Sequence, residues 1–130
     1  MITQASQLPD EELLLAGMPS CSGCGLALAY RLALKALGRD SIITIPAGCS
    51  TVLQGMYPTA AALVPVLNTA FETAASSAAG LSAGLKAQGR ENDFTVVAWA
   101  GDGATYDIGL QALSAAAERG DNFIYVCYDN

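Results

Sequence analysis

The stretch FTVVAWAGDGATYDIG, residues 94–109, decides the fold. Its first seven residues form an unbroken apolar and β-branched run between a polar GREND and a Gly-Asp-Gly, as expected of a short strand buried on both faces of a parallel sheet. Open sheets of that kind bind ligands beyond the carboxyl ends of their strands, and Gly101-Asp102-Gly103 falls at such an end. The glycines allow backbone to approach a phosphate, and the N-terminus of the helix that follows favours negative charge. Asp102 is then positioned to hold a divalent metal, although Gly-Asp-Gly alone also fits a plain strand-ending turn.

Working outward, DIGLQALSAAAERG (107–120) predicts a helix with Asp107 as N-cap and Gly120 as its stop, and FIYVCYDN (123–130) the next strand. Upstream, FETAASSAAGLSAGLKAQ (71–88) has a helical pattern crowded with small residues, suited to close packing against a partner helix or subunit. LVPVL (63–67) and SIITIPA (41–47) read as extended segments, the latter leading into GCST. LALAYRLALKALG (26–38) predicts a mostly buried helix with Arg31 and Lys35 on one narrow polar face, and LPDEELLLAGMP (8–19) a short helix or turn capped by Asp10. Strands alternating with helices give an α/β fold, a mostly parallel sheet flanked by helices, in one domain spanning 1–130. The sequence stops just after an apolar strand with no helix to cover it, so an N-terminal fragment, incomplete at its C-terminus, is expected.

Composition excludes several functions. Hydrophobic residues make up 52% of the chain and charged residues 14%, enough for a sizeable core and against disorder. Twelve acidic against six basic residues, with no Lys or Arg run, leave no nucleic-acid footprint. No apolar stretch reaches the roughly 18 residues of a membrane span and no targeting leader is visible, so a soluble, cytoplasmic protein is expected. The chain has no histidine, which removes Ser-His-Asp hydrolysis, Cys-His proteolysis and His-ligated zinc within it. Chemistry must come from carboxylates, thiolates, backbone groups or a cofactor.

Two constellations remain. Asn130 follows Asp102 by 28 positions, about one crossover between neighbouring parallel strands, so both side chains can offer oxygens to one Mg²⁺. PSCSGCG (19–25) sets Cys21 and Cys24 three apart, and Cys49 follows in GCS. Such a set points to metal or redox use in preference to a disulfide framework, with a zinc site, a redox pair, thiolates for iron and plain buried thiols all open.

GDGATYDIGLQAL followed by FIYVCYDN resembles the Gly-Asp-Gly…Asn signature of thiamine-diphosphate enzymes, and CSGCG followed by GCS resembles the β subunit of pyruvate:ferredoxin and other 2-oxoacid:ferredoxin oxidoreductases. The resemblance runs from about Pro19 to Asn130 and implies a thiamine-diphosphate-binding fold. It implies that Cys21, Cys24 and Cys49 ligate a 4Fe–4S cluster, that Cys49 and Ser50 also line the cofactor site, that Asp102 and Asn130 ligate Mg²⁺, and that Gly101, Gly103 and Ala104 contact the diphosphate. Leu26 stands where some members carry a carboxylate that contacts the cofactor. The implied activity is coenzyme A-dependent oxidative decarboxylation of a 2-oxoacid, most simply pyruvate, with electrons passed to ferredoxin and other subunits completing the enzyme. No catalytic acid or base is expected in this chain: a catalytic asparagine and the fourth cluster cysteine are expected beyond Asn130, and the activating glutamate from a partner subunit. A thiamine-diphosphate enzyme without a cluster, and a non-enzymatic α/β domain with structural zinc, are the alternatives.

Other residues have simpler readings. Glu72 suits a first-turn carboxylate, Trp99 strand packing, and the Arg31/Lys35 pair a solvated stripe in preference to a docking face for an acidic ferredoxin. Strand alternation turns Cys127 away from Asn130, which makes it a packed thiol.

Overall fold

In a computed structural model, which describes residues 4–129, four strands form one sheet in the order β2-β1-β3-β4. They are β1 (Ser41–Pro46), β2 (Val66–Thr69), β3 (Thr95–Gly101) and β4 (Ile124–Tyr128), and every pairing among them is parallel. The helices are α1 (Gly25–Leu37), α2 (Cys49–Gln54), α3 (Ala74–Ala87) and α4 (Leu110–Arg119). The apolar run that opened the reading is the central strand β3, with Val96 through Ala100 all buried. Among the described residues no helix is long and apolar enough to cross a membrane.

Alternation along the strands divides the core in two. Ile43, Ile45, Val97 and Trp99 pack with Tyr30 and Leu34 of α1, whereas Val96, Ala98 and Ala100 pack with Ala74 and Ala78 of α3. From β1 the chain moves outward to β2, and from β3 it moves the other way to β4. The loops leaving β1 and β3 therefore part company at the carboxyl edge, the ligand position of open α/β sheets.

Several local expectations give way to tertiary contacts. Residues 8–19 are an extended strap in place of a helix or turn: Leu14 bridges Ala62, Leu15 N–H donates to the Ala61 carbonyl at 2.8 Å, and Leu63 N–H donates to that of Leu13 at 2.9 Å. Asp10 consequently caps nothing; its carbonyl accepts from Lys35 Nζ at 3.1 Å. Helix α1 buries only Tyr30 and Leu34 and leaves Leu28 and Leu32 exposed, because the sheet covers one stripe of it. Its polar face is no solvated stripe: Arg31 and Lys35 both bind Glu12, at 2.5 and 2.9 Å, and hold the strap down. Glu72 precedes α3 and lies outside its first turn. Asp107 ends a wide turn, Gly103–Asp107, and does not cap α4, whose N-cap is Gly109.

Candidate functional site

Each loop at the carboxyl edge begins where a strand runs out. After Pro46, Gly48 precedes α2, so Cys49 and Ser50 occupy that helix's first turn. After Gly101, the backbone winds into the wide turn closed by Ile108 N–H donating to the Gly103 carbonyl at 3.2 Å, five residues back. Turns of this width recur at functional sites. Gly109 makes it possible, since a Cβ there would collide with the Ala104 carbonyl oxygen. Thr105 clamps it from within, its hydroxyl 2.6 Å from the Gly101 carbonyl and 3.1 Å from the Tyr125 hydroxyl.

Cys21, Cys24 and Cys49 line one cavity of about 620 Å³, walled by Leu26, Val52 and Leu53. Cys21 and Cys49 are exposed and Cys24 half-buried, at a mouth that is otherwise apolar. Among the described residues no three Cys, Asp or Glu side chains converge tightly enough for a single metal ion. Three thiols around a roomy apolar hollow suit a cluster larger than one ion, since thiolates are the ligands such clusters take. Leu26, the apolar departure noted in the sequence, is part of the wall.

Ser50 behaves differently from its neighbour. Its side chain is turned into the core at 1% exposure, where its Oγ accepts from Trp99 Nε1 at 3.0 Å. At the end of β3, Asp102 is half-buried and makes no capping hydrogen bond, which leaves its carboxylate available to a cation. Gly101 and Gly103 are half-buried and Ala104 is buried. Asn130 lies outside the described residues.

Tyr106 shares a hydrogen bond with the Cys127 thiol, and that contact, the charge available to Cys127, partial desolvation and the nearby carboxylates of Asp129 and Asp102 raise its hydroxyl above the usual phenol range. Cys127 is half-buried against Tyr106 and does not line the three-cysteine cavity.

Sequence reasoning missed Tyr128. Its ring fills the gap between the two loops: a Cβ on Gly101 would lie 3.2 Å from its Cε2, and one on Gly48 3.2 Å from its hydroxyl. Ser50 N–H donates to that hydroxyl at 3.4 Å. The only available signal was its place two residues before Asn130, at the end of an alternating strand.

Comparison with known proteins adds an independent line. Residues 46–130 match the family model described as thiamine pyrophosphate enzyme, C-terminal TPP binding domain. Pyruvate synthase subunit PorB of Methanothermobacter thermautotrophicus is 51% identical over 124 residues, an alignment covering 95% of this chain and 43% of the relative. Ketoisovalerate oxidoreductase subunit VorB of Pyrococcus horikoshii is 48% identical over 127 residues, covering 95% and 41%. Pyruvate synthase subunit PorB of Methanocaldococcus jannaschii is 45% identical over 130 residues, covering 95% and 44%. The chain thus spans less than half the length of these curated relatives.

Proposed function

The chain belongs to the thiamine pyrophosphate enzyme family, and we propose that it serves as the thiamine-diphosphate-binding part of a 2-oxoacid:ferredoxin oxidoreductase. The observation that carries this reading is the cavity lined by Cys21, Cys24 and Cys49, one strand away from the Asp102 turn. A thiamine-diphosphate enzyme without a cluster leaves three thiols around one cavity unexplained. A zinc domain leaves the Gly-Asp-Gly turn unexplained.

In this reading the thiolates of Cys21, Cys24 and Cys49 would be three of the ligands of a 4Fe–4S cluster, in a hollow walled by Leu26, Val52 and Leu53. Asp102 supplies charge to Mg²⁺, with Asn130 as a second oxygen donor. Gly101 and Gly103, lacking side chains, and the small Ala104 let the backbone of the turn approach a diphosphate. Thiamine diphosphate, when bound, supplies the carbanion chemistry that decarboxylates a 2-oxoacid, and a neighbouring cluster takes the electrons. The chain's own residues bind and orient; none is assigned as acid or base. The proposed substrates are pyruvate and coenzyme A, the acceptor ferredoxin, and the partners the other subunits of the enzyme. The names of the relatives, pyruvate synthase and ketoisovalerate oxidoreductase subunits, support a 2-oxoacid and a multisubunit assembly.

Anaerobic purification of the complete enzyme tests this. Brown protein whose visible absorbance bleaches with pyruvate and coenzyme A is expected; colourless protein free of metal points to a cluster-free thiamine enzyme, and colourless zinc protein to the structural alternative. Asp102→Ala in that enzyme should abolish Mg²⁺-dependent thiamine diphosphate binding in isothermal titration while leaving the iron content intact, because a diphosphate without its cation is poorly neutralised. Unchanged affinity would remove Asp102 from the site.

A further inference from the structure

We propose that Ser50, Trp99 and Tyr128 are positioning residues that lock the Cys49 loop and the Gly101–Gly103 turn into one unit, so that disturbing either loop is felt at the other. The inference rests on the reading above, which assigns these two loops to the two cofactors.

Four observations converge on Tyr128. Its ring sits against Gly101, where a Cβ would come within 3.2 Å, and its hydroxyl sits against Gly48, again at 3.2 Å from a Cβ position. Both glycines are thus sites where any side chain would meet the tyrosine. The hydroxyl accepts from Ser50 N–H at 3.4 Å, and the ring lies 6.2 Å from the Trp99 indole, centroid to centroid. Trp99 in turn donates to the Ser50 hydroxyl at 3.0 Å and packs against Tyr30 of α1 at 5.0 Å. Both chain neighbours of Cys49 are therefore held, Gly48 by contact and Ser50 through its side chain and its amide. One residue on, the Thr51 hydroxyl donates to the Pro46 carbonyl at 2.8 Å and ties the turn back to β1.

The consequence follows from rigidity. A thiol flanked by two anchored residues keeps one position relative to the sheet, and the same tyrosine that anchors it also braces the turn bearing Asp102. Loss of the Tyr128 hydroxyl releases the Ser50 amide proton, a donor within one residue of a proposed cluster ligand. Hydrogen bonds to cluster sulfurs help set the reduction potential, so a released donor is read there. Loosening the brace at Gly101 is read in diphosphate affinity.

The test uses the complete enzyme complex, purified anaerobically, with Tyr128→Phe, Ser50→Ala and Ser50→Thr. Two quantities are measured: thiamine diphosphate affinity with Mg²⁺ by isothermal titration, and the midpoint potential of the cluster by redox titration followed by electron paramagnetic resonance. Tyr128→Phe and Ser50→Ala should each weaken thiamine diphosphate binding by about 2- to 10-fold, the worth of one hydrogen bond, and should both shift the midpoint potential. Ser50→Thr, which keeps the hydroxyl, should restore both towards wild type. A cluster with wild-type potential and a cofactor with wild-type affinity in Tyr128→Phe and Ser50→Ala, whatever their melting temperatures, would overturn the inference. A wild-type complex with no reducible cluster would overturn the function reading and this inference with it, and is distinguished because the wild type itself fails.

Discussion

On one face of the sheet, β3 presents Val97 and Trp99 to Tyr30 and Leu34 of α1; on the other, it presents Val96, Ala98 and Ala100 to Ala74 and Ala78 of α3. The first face is built from large side chains, the second largely from methyl groups. Methyl-lined packing brings helix and strand backbones close, and the Thr44 hydroxyl reaches across to the Ala74 carbonyl at 3.1 Å. That face grips the Asp102 turn through Ala104, which is buried within the same cluster. The large-residue face instead carries the cysteine loop, held by Trp99 and Tyr128. The two loops at the carboxyl edge are thus supported by cores of different kinds, and should fail in different ways.

Removing volume should hurt the large-residue face most. Trp99→Ala deletes a side chain 2% exposed, opens a cavity between Tyr30 and Tyr128 and strands the Ser50 hydroxyl; it is expected to cost about 3–5 kcal/mol in urea unfolding. A cost under about 1 kcal/mol would mean that this core collapses onto the gap and does not support the cysteine loop.

Adding volume should hurt the methyl face. Ala78 is fully buried, and Ala78→Leu forces α3 away from β3, for an expected cost of about 1–3 kcal/mol. The displacement should also be visible as faster hydrogen exchange at the Gly103–Asp107 turn, passed on to the cysteine loop in smaller measure through Tyr128. Equal loosening of both loops would erase the distinction between the faces.

The same contrast explains which parts of the molecule could be read in advance. The parallel sheet was legible because β3 and β4 are apolar runs of strand length between polar punctuation, a local signal. The small residues of α3 were legible as a close-packing face, but they suggested a partner helix or subunit, whereas Ala74 and Ala78 lie against β3, a contact set by the sheet and not by the helix's own pattern. The strap was not: Glu11-Glu12-Leu13-Leu14-Leu15 has helical composition, and it is pairing with residues 61–63 and the ion pairs of Glu12, all distant in sequence, that keep it extended. Nor was the wide turn, since the Gly109 contact that shapes it depends on the path of the backbone. At the site, the cysteines and the acid advertise themselves by residue type and spacing. Tyr128 and Trp99 touch Ser50 across 78 and 49 residues of sequence, and an aromatic in an apolar strand carries no mark of such a contact.

The smallest expected effect belongs to the strap, which lies on the large-residue face through Leu13 and Leu14. Hydrogen bonds from Arg31 and Lys35 hold the Glu12 carboxyl well below its ordinary 4.5, at about 2. A carboxylate depressed in the folded state stabilises above its unfolded pKa, and that contribution fades as pH falls from about 4.5 towards about 2. Glu12 is solvent-exposed, with 41% of its side chain accessible, so the effect should be modest and weakened further by salt. Acid titration should therefore loosen the amides of Leu15 and Leu63, which close the pairing of the strap, in hydrogen exchange before it touches α3. Glu12→Gln should remove the pH dependence of the protection of those amides, relative to their intrinsic exchange rates, within that window, leaving it at its acid-limit value throughout. If the variant instead kept the wild-type pH profile, the strap would owe its position to its backbone pairing with residues 61–63 alone, and the charged face of α1 would lose its part in holding the large-residue core closed.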